Sequence, residues 1–82
     1  MTFQYKPEIL EELARHGVRP KPTSHPEFIR TVVRDLYLYE IRALRDRCRA
    51  GEFPTQDLPP LVVELRKRYL LLSIPMERWT ED

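Results

Sequence analysis

The sequence predicts an all-α fold, a small helical bundle in which a short N-terminal helix packs on an antiparallel hairpin of one long and one medium helix. Residues 26–50 contain no glycine and no proline after Pro26, apolar side chains recur there and in two other segments at three- and four-residue spacing, and no useful stretch alternates as a strand does. These observations make one domain of 82 residues, read as helix 7–16, proline-containing linker 18–25, long helix 26–50, helix 58–73 and tail 74–82.

The first helix opens on Pro7, whose missing N–H is harmless in a first turn. Ile9, Leu10, Leu13 and Ala14 follow on one face up to Gly17, with Glu8, Glu11 and Glu12 near the positive end of the dipole and Arg15 and His16 near the negative end. A helix this short is marginal alone and needs the long helix to dock on. Between them Pro20 and Pro22 favour extended backbone, so the segment reads as a stiff connector. Arg19 and Pro22 begin to resemble a proline-rich ligand, but Pro26 falls one place too late for its spacing.

Ser24, with Glu27 three residues on, predicts a capping box at the start of the long helix, and Gly51 predicts its close. At 100° per residue Phe28, Tyr39, Val32, Ala43, Leu36, Ile29, Val33 and Leu44 share an arc of roughly 160°, wider than a single seam needs. Such a helix is expected to touch more than one neighbour. Asp57 is the expected cap of the third helix, with Pro59 and Pro60 in its first turn. Leu61, Val62, Leu65, Tyr69 and Leu72 form its main apolar arc, while Val63 and Leu70 lie opposite, and Ile74-Pro75 ends it.

The short connection makes the second and third helices antiparallel neighbours. Folding about Pro54 sets Leu36 by Leu72, Tyr39 by Tyr69, Ala43 by Leu65 and Glu40 by Arg68, with Arg47 one turn from Glu64. Charges on an apolar arc need partners, and this register supplies them. A second arrangement is an antiparallel homodimer with its two-fold near Ala43 and Leu44, setting Glu40 of one chain beside Arg47 of the other, twice.

A net charge of +1 gives no global attraction to nucleic acid or anionic membrane, and 41% hydrophobic with 33% charged residues is a globular composition. Cys48 is the only cysteine and the first residues carry no apolar leader, so a cytoplasmic protein without disulfides or a membrane segment is expected. The catalytic inventory is thin. His16, His25 and Cys48 have no metal-ligand spacing, and the two glycines make no phosphate loop, so no enzyme, metal or cofactor is expected.

Two functional expectations remain. Leu38 and Ile41 are apolar residues set among arginines on the outer face of the long helix, a composition favoured at interfaces. With Arg34, Arg45 and Trp79 they predict a non-enzymatic protein–protein interaction or self-association module, its partner another protein or itself. Trp79 has a competing reading, in which the tail folds back and the indole closes the bundle. The alternative function is nucleic-acid binding, with Arg30, Arg34, Arg42, Arg45 and Arg49 on phosphates and Tyr37 stacked on a base. Glu27 with Arg30, and Asp46 with Arg42 and Arg49, stand at helical ion-pair spacings and weaken that stripe.

Overall fold

Glycine is what ends the first two helices, and both ends share one geometry. The computed structural model describes residues 2–81, with α1 spanning Pro7–Arg15, α2 Pro26–Arg49 and α3 Leu58–Arg68. Gly17 and Gly51 hold φ of 75° and 82°, a left-handed conformation that costs glycine little. At each end two backbone donors turn back onto orphan carbonyls: Gly17 and Val18 onto Ala14 and Leu13, Gly51 and Glu52 onto Cys48 and Arg47. Among the described residues the elements are helical apart from one isolated antiparallel bridge between Tyr5 and Thr80.

The start of α2 differs from the expected capping box. His25 is the cap residue, its Nδ1 accepting from the Glu27 N–H at 3.1 Å, while the Ser24 hydroxyl accepts from the Lys21 N–H and closes the preceding turn. The serine is one residue too early, because the helix begins at Pro26. Asp57 likewise makes no side-chain cap and belongs to a 3₁₀ turn, Thr55–Asp57, leading into α3.

The third helix is shorter than the predicted 58–73. It stops at Arg68, Tyr69 leaves helical geometry at φ −112° and ψ 42°, and Leu70–Ser73 tightens into a 3₁₀ turn. In a continued α-helix Leu72 would share the face of Leu65 and Tyr69. The break instead buries Leu71 completely, leaves Leu72 half-buried and turns Leu70 outward. Burying a whole leucine is the physical gain that accompanies the lost turn.

One core serves all elements. Tyr5, Ile9 and Leu13 from the N-terminal part meet Ile29, Val33 and Ile41 of α2 and Leu65, Tyr69, Leu71 and Trp79 from the C-terminal half. The tail is therefore structural: Met76–Arg78 forms another 3₁₀ turn, Trp79 is fully buried, and its Nε1 donates to the Ile74 carbonyl at 3.2 Å. The N–H of Lys6 donates to the Trp79 carbonyl and that of Glu81 to the Gln4 carbonyl, so the first and last described segments are laced together.

Helices α2 and α3 pack on each other as a fold about Pro54 requires, but Tyr37 rather than the expected Tyr39 meets Tyr69, because α2 is turned about its axis. The Tyr37 and Tyr69 rings lie 5.3 Å apart and the Tyr69 hydroxyl donates to Glu40. The molecule is a rod of 49 × 16 × 16 Å with a radius of gyration of 15.1 Å, where a compact chain of this length has about 12 Å. No helix among the described residues is long and apolar enough to cross a membrane.

Candidate functional site

The long helix presents a different face to the core than its apolar pattern predicts. Ile29, Val33 and Ile41 are buried, with Tyr37, Leu44 and Cys48 half-buried, a ladder built mainly on four-residue steps. Such a row is the ridge that packs into the grooves of a neighbouring helix. Relative to the expected arc the buried face is rotated by roughly a quarter turn, at 100° per residue. The rotation leaves part of the expected core outside. Phe28 is 65% and Tyr39 72% exposed, Leu36 and Ala43 are also exposed, and Val32 is half-buried.

These five residues form a continuous stripe. From Val32 onward its spacing is four, three and four residues, that of a left-handed coiled-coil seam. Asp35 and Arg42, one heptad apart, flank it and both are exposed. Asp35 has only a loose contact with its neighbour Arg34 at 3.8 Å, and Arg42 forms no ion pair among the described residues.

The residues singled out for an interface are divided by the fold. Arg34, Leu38 and Arg45 are exposed. Ile41 is only 8% exposed and Trp79 not at all, so both belong to the core rather than to the outer surface. For Ile41 the reason is the rotation of the helix; for Trp79 it is the folded-back tail.

The arginine stripe is thinned in the same way. Arg30 is half-buried and donates to the Leu72 carbonyl at 3.1 Å, tying α2 to the turn after α3. Arg34, Arg42, Arg45 and Arg49 remain exposed. Tyr37, expected as a stacking platform, is half-buried against Tyr69, and its hydroxyl accepts from Arg66 Nε at 3.3 Å.

Glu40 and Arg47 find partners within the chain, though not those expected. Glu40 accepts from the Tyr69 hydroxyl rather than pairing with Arg68, and Arg47 lies 3.4 Å from Glu52, its guanidinium over the Phe53 ring. Burial, then the hydrogen bond and the negative charge of Glu40, push the Tyr69 phenol upward, opposed by Arg68. His16 stacks on the same ring at 4.2 Å, and its Nε2 is buried without a hydrogen-bond partner among the described residues. Tyr5 is likewise pushed up by burial, its hydroxyl donating to the Ser24 carbonyl at 2.6 Å. Both phenols are thus held as neutral donors that fix the fold.

Phe28 and Tyr39 lie on the surface of the stripe although periodicity alone places them in the core. The signal available was the width of the arc, which exceeds what one neighbour can cover. Set against protein-family models, curated proteins and solved structures, the chain matches none.

Proposed function

We propose that this protein is a non-enzymatic interaction module whose contact surface is the exposed apolar stripe of α2. The observation that carries this reading is the exposure of two aromatic side chains, Phe28 and Tyr39, on one face with Leu36 and Ala43. Leaving large aromatic groups in water forgoes roughly 1.5–3 kcal/mol for each side chain that burial would recover. Contiguous apolar stripes rimmed by charge are characteristic of surfaces that bind other proteins. The contact face is thus a neighbour of the outer face, with Leu38 and Arg34 beyond its rim.

The test is capture of partners by tagged protein, with and without nuclease, comparing wild type with Phe28→Asp and Tyr39→Asp. Both sites are exposed, so the variants should keep the wild-type helical spectrum while losing bound protein. Retention of the same partners by both variants would refute the assignment.

The exposure of Arg34, Arg42, Arg45 and Arg49 supports a second reading, nucleic-acid binding through phosphates. It predicts nuclease-sensitive capture and affinity that falls steeply between about 50 and 200 mM salt.

A further inference from the structure

We infer that the partner of this stripe is a second copy of the chain, docked through an antiparallel pair of α2 helices. The inference rests on the proposed contact surface and names its occupant. Area gives the first argument. The chain exposes 6163 Å², whereas a compact monomer of 9.9 kDa exposes about 5,200 Å². The surplus, roughly 950 Å², is close to the 800 Å² that one partner contributes to a standard interface. It accompanies the rod shape, 49 Å long and 16 Å across.

Pattern gives the second argument, and it favours self-association. In an antiparallel pair of helices each seam layer joins one position type to the other. With the two-fold axis at the level of Tyr37 and Leu38, Leu36 meets Tyr39 of the second copy and Val32 meets its Ala43, each twice. Large residues face small or medium ones, as a packed layer requires. The same register brings Asp35 beside Arg42 of the second copy, again twice, so opposite charges meet across the flank that the fold leaves open. Phe28 falls beside Arg49 of the second copy, a cation set against an aromatic face. This axis lies on a different face from the Glu40–Arg47 pairing, whose members are already engaged within the chain.

Sedimentation equilibrium tests the register as well as the association. Wild type at about 100 μM, well above the micromolar constant of weak standard-size interfaces, should have about twice the 9.9 kDa chain mass. Tyr39→Asp, removing an anchor twice per dimer, should weaken association about 100-fold or more. Asp35→Arg should weaken it about tenfold, and the double variant Asp35→Arg/Arg42→Asp should restore it, because the two residues are too far apart on one helix to rescue each other within a chain. Monomeric wild type would overturn the dimer, as would an unaffected Tyr39→Asp or a double variant no better than the single one. If wild type is monomeric, the contact surface is judged separately by the capture experiment with Phe28→Asp and Tyr39→Asp, so the two ideas fail independently.

Discussion

Replacing Trp79 with alanine asks whether the tail is part of the core. The indole is completely buried, and an aromatic side chain of this class removes about 150–250 Å² from water. At about 25 cal/mol per Å² this is worth some 4–6 kcal/mol as an upper figure, in keeping with the roughly 3–5 kcal/mol that Trp→Ala substitutions cost in cores. A domain of 82 residues has about 4–12 kcal/mol in total, so the variant loses a large fraction of its stability or all of it. The corresponding fall in melting temperature is at least about 12 °C, taking about 4 °C per kcal/mol at the low end. Trp79→Phe keeps a ring but loses the donor to the Ile74 carbonyl, and should cost about 1–2 kcal/mol. Urea unfolding followed by far-ultraviolet circular dichroism measures all three proteins. A Trp79→Ala variant within about 0.5 kcal/mol of wild type, with unchanged slope, would refute the placement of the tail in the core.

Other substitutions read other parts of the fold. Ile41→Asp puts a charge into a site only 8% exposed and should unfold the domain, whereas Leu38→Asp at an exposed site should leave the melting temperature nearly unchanged; equal effects would deny the rotation of α2. Gly17→Ala and Gly51→Ala meet no nearby atom, so each should cost only the left-handed backbone penalty of about 1–2 kcal/mol in thermal unfolding. Alkaline pH should destabilise the protein. Both buried phenols are raised above their ordinary 10.0 in the folded chain, so the unfolded chain loses these protons first. Their contribution is whole below pH 10.0 and drains away as pH rises from there toward the folded values. The double variant Tyr5→Phe/Tyr69→Phe should flatten the dependence of the urea midpoint on pH between about 9 and 11, and an unchanged slope would sink the argument.

The sequence makes local features legible and mutual ones less so. Pro7 and Pro26 mark helix starts, and Gly17 and Gly51 mark helix ends, because each acts on its own backbone. The all-α architecture and the packing of α2 on α3 follow from spacing and loop length, whereas the pairs across them do not, since Tyr37 and not Tyr39 meets Tyr69. What spacing leaves undetermined is how far a helix turns about its axis once neighbours arrive. A broad apolar arc on α2 admits several rotations, and packing by Tyr37, Ile41 and Leu44 selects one a quarter turn from its centre. The candidate surface therefore moves from Leu38 and Ile41 to Phe28, Leu36 and Tyr39. The break at Tyr69 is equally non-local, since it reflects a phenol held by Glu40 and a leucine drawn into the core formed with α1.

The bridge between Tyr5 and Thr80 has a mechanical consequence. It closes a loop of 75 residues, which costs about 4 kcal/mol of chain entropy, so it forms late in folding and only once the hairpin has drawn its ends together. Tension applied through the segments beyond it enters the molecule at adjacent points and pulls the Lys6–Trp79 and Gln4–Glu81 hydrogen bonds apart across their length. Those bonds yield one after another, as the teeth of a zipper do, and Tyr5 and then Trp79 are the core residues drawn out first. The loop after Gly51, at the other end of an α2 helix about 36 Å long, feels no force until then. The rod is thus weak at a single seam, where its first and last described segments are fastened to each other.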